Sequence, residues 1–172
     1  MGLSVAISGG IIMFGIIYLM FSLGGLTDKI MSVSDSSMQR TDLENKLVKT
    51  SIIINSISAI PLTPNVSFVI ENNNIEKLWE FEKFNVFITY TDTIGSAVHT
   101  DELTYVNTCP AVTGQWCLST FGNDVIDPKI LNYGETVTID SVVNNAIKLS
   151  TNLTVIISTQ NGVVATKTIV TA

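Results

Sequence analysis

The sequence predicts a mainly β protein carried on a helical N-terminus. A transmembrane α-helix covers 1–27, a polar helical stalk covers 28–50, and an antiparallel β-sandwich covers 51–172. Three observations carry this reading. Every Asp, Glu, Lys and Arg lies at or after Asp28. The spacing of apolar residues changes from a helical period to a period of two at Ser51. Turn signals then recur between short β-branched and aromatic runs to the end of the chain.

The apolar run from Leu3 to Leu26 (LSVAISGGIIMFGIIYLMFSLGGL) is the first element. About 20 such residues cross the hydrocarbon of a bilayer as a helix. A secretory signal would carry a basic segment ahead of a shorter apolar core. Neither feature is present, so the run reads as a retained anchor contacting lipid through residues 3–26. Ala6 and Gly10 have the four-residue spacing that permits close helix contact, but no strict GxxxG occurs.

Residues 28–50 balance four acids (Asp28, Asp35, Asp42, Glu44) with four bases (Lys29, Arg40, Lys46, Lys49). Ile30, Val33, Leu43 and Leu47 recur loosely at helical spacing. Ser32, Ser34, Ser36 and Ser37 interrupt them, and serine favours caps and turns over helix interior. The segment reads as a solvated stalk or a helix with a weak joint near 34–37; fully helical, it would reach about 35 Å at 1.5 Å per residue.

The whole net charge of −6 then belongs to residues 51–172. An acidic body excludes nucleic acid, whose phosphates require clustered Lys and Arg. Strands are expected over 51–60, 65–71, 84–90, 98–106, 115–120, 135–143, 151–159 and 163–170. Val66, Phe68 and Ile70 share one face of the second, as do Phe84, Val86, Ile88 and Tyr90 of the third. Asn161-Gly162 between the last two is a strong hairpin signal.

Candidate sites are few. Cys109 and Cys117 bracket a short Pro/Gly loop (CPAVTGQWC). An exported body would bridge them; otherwise they are two thiols. Asn65-Val66-Ser67 and Asn152-Leu153-Thr154 are glycosylation candidates at Asn65 and Asn152 under the same condition. Lys29 alone argues for a cytoplasmic body, and the thiol pair and the sequons for an external one. Trp79 and Trp116 read as core residues, with Trp79 as the partner-contact candidate should an aromatic be exposed. His99 has no obvious catalytic partner in sequence. Asp101-Glu102 reads as a solvated edge. Asn123, Asp124 and Asp127 lack the spacing of a calcium loop. No catalytic constellation, metal site or cofactor motif is expected.

Three stretches resemble a known family. MGLSVAISGGIIMFGIIYLMFSL resembles the start of the archaellum accessory membrane proteins, the FlaF and FlaG stator family, and FlaF in particular. IENNNIEKLWEFEKFNVFITYTD (70–92) resembles the family's strand, Asn/Gly turn, K-L-W-x-F stretch and strand ending in tyrosine. ILNYGETVTI (130–139) resembles its L-N-P-G-E turn, with Tyr133 in the proline position. The resemblance implies an archaeal single-pass membrane protein with an external immunoglobulin-like sandwich. It implies a stator role, binding the surface-layer protein and other archaellum proteins, in a homo-oligomer. Archaellins and archaeal type IV pilins share the layout, so a filament subunit is the alternative. The expectation favours the stator, because no basic leader precedes the helix and the stalk is polar.

Overall fold

A computed structural model describes residues 2–172, apart from the side chains of 2–6 and 23–28. It has two compact units, Met1–Glu44 and Asn45–Ala172.

Helix α1 runs from Gly2 to Lys49. The weak joint expected near 34–37 is absent. The serines bond backward onto their own helix instead of breaking it. Ser32 Oγ donates to the Lys29 carbonyl at 3.0 Å and Ser36 Oγ to the Ser32 carbonyl at 2.8 Å. Thr41 Oγ1 does the same to Ser37 at 2.9 Å. Such back-bonding shares a carbonyl of the ladder at a slight cost and leaves the helix continuous. Lys46 and Lys49 occupy the last turn, where cations suit the helix dipole. The described part of the apolar run presents Ile11, Phe14 and Phe21 outward, all exposed. Among the described residues no helix is long and apolar enough to cross a membrane. The run read over 3–26 lies partly outside them, at 3–6 and 23–26.

The second unit holds eight strands: β1 (Ile52–Ala59), β2 (Asn65–Asn72), β3 (Asn85–Thr91), β4 (Val98–Tyr105), β5 (Gln115–Gly122), β6 (Thr136–Val142), β7 (Asn152–Ser158) and β8 (Val164–Val170). Their order is β1-β2-β6-β5-β4-β3-β7-β8. The halves β1-β2-β6-β5 and β4-β3-β7-β8 reproduce the ABED and C′CFG sheets of an immunoglobulin-type sandwich. One feature departs from the antiparallel expectation. The β4–β5 contact is parallel and limited to Thr104–Gln115 and Tyr105–Trp116. It joins the last residues of β4 to the first of β5, which a hairpin-only sandwich would not do.

The period of two decides the core. β2 buries Val66, Phe68, Ile70 and Asn72, and β3 buries Val86, Ile88 and Tyr90. Beside them in the same core are Val137 and Ile139 of β6, paired with β2, and Leu153, Val155 and Ile157 of β7, next to β3. Among the described residues, every buried hydrophobic lies between Ile52 and Ala165. The sandwich therefore has a complete core of its own.

The tryptophans divide. Trp116 is fully buried and meets the Tyr105 ring at 4.8 Å, whereas Trp79 is 52% exposed, which corrects its reading as core. Asp101 corrects the reading of a solvated edge. It is buried and accepts the Tyr90 hydroxyl at 2.9 Å and the Asn144 amide at 2.8 Å through Oδ2. Tyr90 Oη in turn accepts the Asn145 amide at 3.0 Å. β3, β4 and the β6–β7 loop are thereby tied together. The Tyr90 hydroxyl is held above its ordinary pKa of 10.0, first by burial and then by its bond to Asp101.

Candidate docking surface

Stretches 70–92 and 130–139 meet within the sandwich. Asn72 is the pin. Its side-chain amide donates to the carbonyls of Glu76 at 2.6 Å and Leu131 at 2.9 Å. Its carbonyl accepts the Gly134 amide at 2.8 Å. Gly134 has φ of 75°, a left-handed backbone that glycine adopts without a Cβ penalty. Leu78 and Leu131 exchange backbone bonds at 3.2 and 2.8 Å. Asn132 and Glu135 close the turn, with Glu135 Oε2 accepting the Asn132 amide at 2.8 Å. Lys77 and Asp127 pair across the same junction.

This scaffold places Trp79. Leu78 points into the core through its bridge to Leu131, and Phe81 returns inward at 4% exposure. Trp79 lies between them and is forced out. It stands beside a groove of about 500 Å³. Phe81, Tyr105, Leu118 and Phe121 form an apolar floor, and Glu82 and Lys129 bring opposite charges to it. Phe81 and Phe121 meet edge to face at 6.0 Å. Burial, and then the nearby Glu82 carboxylate, hold the Tyr105 hydroxyl above its ordinary pKa. The sequence reading singled out Trp79 but not the groove. The floor comes from three separate segments, so no local pattern encoded it. The one signal was aromatic residues at Phe81, Tyr105 and Phe121 in excess of what the strand faces consume.

Cys109 and Cys117 are bonded to each other, with Cα atoms 5.7 Å apart. Their loop brings Pro110 and Ala111 over the outer face of β2 and β6. There they line a second cleft, of about 360 Å³, with Asn65 and Asp140. Asn65 and Asn152 are both exposed, each as the first residue of a strand.

The remaining polar candidates have structural partners. His99 lacked a partner in sequence and finds one in Asp92, Nε2 to Oδ2 at 2.9 Å. Asp92 Oδ1 also accepts the Ala97 amide at 3.1 Å, which closes the β3–β4 turn. No nucleophile stands beside this pair in the hydrogen bonds of the turn. Asp124 accepts the Lys129 amide at 3.2 Å, and Asp127 is engaged by Lys77. Among the described residues no three His, Cys, Asp or Glu converge as a metal site would require.

The described residues thus form a long helix and an immunoglobulin-type sandwich with an aromatic groove beside Trp79. Comparison with solved structures agrees. The chain is similar to the archaellum periplasmic stator protein FlaG of Sulfolobus acidocaldarius, at 13% identity and TM-score 0.52, over 70% of this chain and 99% of that one. It is similar to the FlaF and FlaG stator complex of the same organism, at 14% identity and TM-score 0.52, over 69% and 87%. It is also similar to the archaeal flagellum of Methanospirillum hungatei strain JF1, at 15% identity and TM-score 0.62, over 100% of this chain and 94% of that one. No family model matches the chain, and no curated protein matches it. At these identities the likeness establishes a fold shared by archaellum stator and filament proteins. These relatives in fold are structural components, not enzymes.

Proposed function

We propose that this protein is a stator component of the archaellum, anchored in the archaeal cell membrane by the apolar run over 3–26. Its sandwich lies outside the cytoplasm and docks to the surface-layer protein, with other archaellum proteins as further partners. The carrying observation is the helix between 28 and 49. Its apolar side chains, such as Ile30, Met38, Leu43 and Val48, are all exposed and do not align on one face. Charges spread over more than half of the circumference, as on a solvated helix. Such a helix suits a spacer better than a close-packed bundle. The stator fold over the body supports the same reading. Exposed apolar side chains such as Ile11 and Phe14 need a cover, and lipid supplies it. An exported body is also consistent with a native Cys109–Cys117 bridge and with glycans on Asn65 or Asn152. Trp79 is the proposed contact residue.

A second reading has its own support. The similarity to the Methanospirillum flagellum runs over the entire chain, helix included. In a filament subunit the same apolar side chains would be covered by neighbouring helices. The test separates the two. The soluble fragment 45–172 is expected to bind surface-layer protein isolated from the source envelope, and the detergent-solubilised full chain to remain unpolymerised. No binding by the fragment, with long fibres formed by the full chain, assigns the protein to the filament.

A further inference from the structure

The aspartates of residues 51–172 are Asp92, Asp101, Asp124, Asp127 and Asp140. Four of them have partners within the chain: His99 for Asp92, Tyr90 for Asp101, the Lys129 amide for Asp124 and Lys77 for Asp127. Among the described residues Asp140 has neither an ion pair nor a side-chain hydrogen bond. It is half-buried on β6, a central strand paired on both sides. Asp is a poor strand residue, and a partly desolvated carboxylate without a partner costs stability. Its surroundings are specific. Ser58 of β1 lies opposite Ser67 of β2, and Ser67 lies opposite Asp140. Neighbouring strands are about 4.8 Å apart, so the two hydroxyls and the carboxylate form a line about 10 Å long across the outer face. Cys117 of β5 continues the line beyond Asp140. From there the disulfide returns the chain to Cys109, and Pro110 and Ala111 cover the line. The cleft of about 360 Å³ lies between them, with Ile60, Asn65 and Val142 as further lining and no Lys, Arg or His.

We propose that this cleft binds the guanidinium of an arginine side chain on a partner polypeptide. Charge complementarity selects a cation. The cleft holds one negative group and no positive one, on a body that carries the whole net charge of −6. The acceptors select guanidinium over ammonium. A carboxylate takes two N–H groups of the planar fork side by side. The hydroxyl of Ser67, one strand away, accepts an N–H that the carboxylate leaves over. An ammonium is a compact point charge and cannot form the paired bonds. Pro110, Ala111, Ile60 and Val142 supply apolar walls for the stem of the side chain. Free arginine is a poorer match, because its own carboxylate would meet only negative charge, whereas a residue within a chain carries none. A neutral sugar would leave the carboxylate uncompensated. The inference holds equally for a stator component and for a filament subunit.

The test is titration of fragment 45–172 with acetyl-Gly-Arg-Gly-amide at millimolar concentration, followed by amide chemical shifts. The lysine counterpart, free arginine and glucose are titrated in parallel. The arginine peptide is expected to shift the amides of 66–67, 111–112 and 140–142, and to bind at least about threefold more tightly than the lysine peptide. Asp140→Asn keeps the side-chain size and is expected to weaken binding about tenfold or more. An unchanged urea midpoint shows that this variant is folded. Glu102→Gln removes the same charge from an exposed position on β4 and leaves binding unchanged. Reduction of Cys109–Cys117 frees the covering loop and weakens binding as well. Absence of shifts in the cleft, equal losses in Asp140→Asn and Glu102→Gln, or a lysine peptide that binds as tightly overturns the proposal. Free arginine binding as tightly as the capped peptide overturns the polypeptide source, and glucose shifting the cleft where the arginine peptide does not overturns the cation.

Discussion

Replacing Asp101 by alanine is expected to be the most damaging single polar change in the sandwich. Its Oδ2 accepts two donors, the Tyr90 hydroxyl at 2.9 Å and the Asn144 amide at 2.8 Å, at a residue only 9% exposed. A buried donor left without an acceptor costs roughly 1–3 kcal/mol. Two such donors give about 2–6 kcal/mol for Asp101→Ala. Tyr90→Phe strands only the Asn145 amide and should cost about 1–3 kcal/mol. Asp101→Asn keeps one acceptor oxygen and should cost least. The double change Tyr90→Phe with Asp101→Ala should cost less than the sum, because both singles break one shared bond. Urea unfolding of fragment 45–172 measures all four. An Asp101→Ala midpoint within about 0.5 kcal/mol of the parent would refute the network as a stabilising device. The pH dependence provides an independent check. The folded state raises the Tyr90 pKa above 10.0, so it holds that proton more tightly than the unfolded chain. The contribution is complete below pH 10 and is lost as pH rises through the folded-state value. Tyr90→Phe should therefore flatten the alkaline fall in stability, measured as the midpoint from pH 9 to 12.

Reduction of Cys109–Cys117, or its replacement by a serine pair, should lower stability by about 2–3 kcal/mol, as expected for opening so short a loop in the chain-entropy model. Native mass under non-reducing conditions should be two hydrogens light. Trp116→Ala should cost about 3–5 kcal/mol, as truncation of a fully buried ring does, while Trp79→Ala should stay within about 0.5 kcal/mol in the same urea titration. Gly122→Ala places a Cβ 2.5 Å from Thr136 Oγ1, and should lower the midpoint by about 1–2 kcal/mol unless Thr136 rotates away, which Thr136→Ser in the same background would reveal.

The strands were legible because each buries one face, and a period of two is written directly in the side chains. β2 shows this with Val66, Phe68 and Ile70, and the expected bounds fell within a few residues of the observed ones. Pairing order was not legible, since any strand with an apolar face can lie beside any other. The parallel β4–β5 contact depends on a 109–114 loop that returns the chain to the same end, and its cue was a single Pro/Gly pair. The stalk was misread at 34–37 because serine has two local options, capping or back-bonding. Which one wins depends on whether the helix continues on both sides. Asp101 was misread for a related reason. A carboxylate next to Glu102 looks solvated until Tyr90 and the 144–145 amides, distant in sequence, converge on it.

The groove follows from the same physics. A sandwich needs only enough apolar faces to fill its interior, and here the strand faces already do so with Phe68, Ile70, Ile88, Ile139 and Leu153. Segment 74–84 then adds Leu78, Phe81 and Phe84 to the core and leaves Trp79 over. Leu78 is fixed inward by Leu131, so the neighbouring ring has no inward solution. Stability gains little from a half-exposed indole, and a polar residue would serve the fold as well at that position. The arrangement instead holds a rigid aromatic beside the groove, with the Asn72 bonds and the Lys77–Asp127 pair keeping it there. An aromatic anchor held by its surroundings binds at low entropic cost. That exposure, unneeded for folding, is the physical reason for proposing Trp79 as the contact residue.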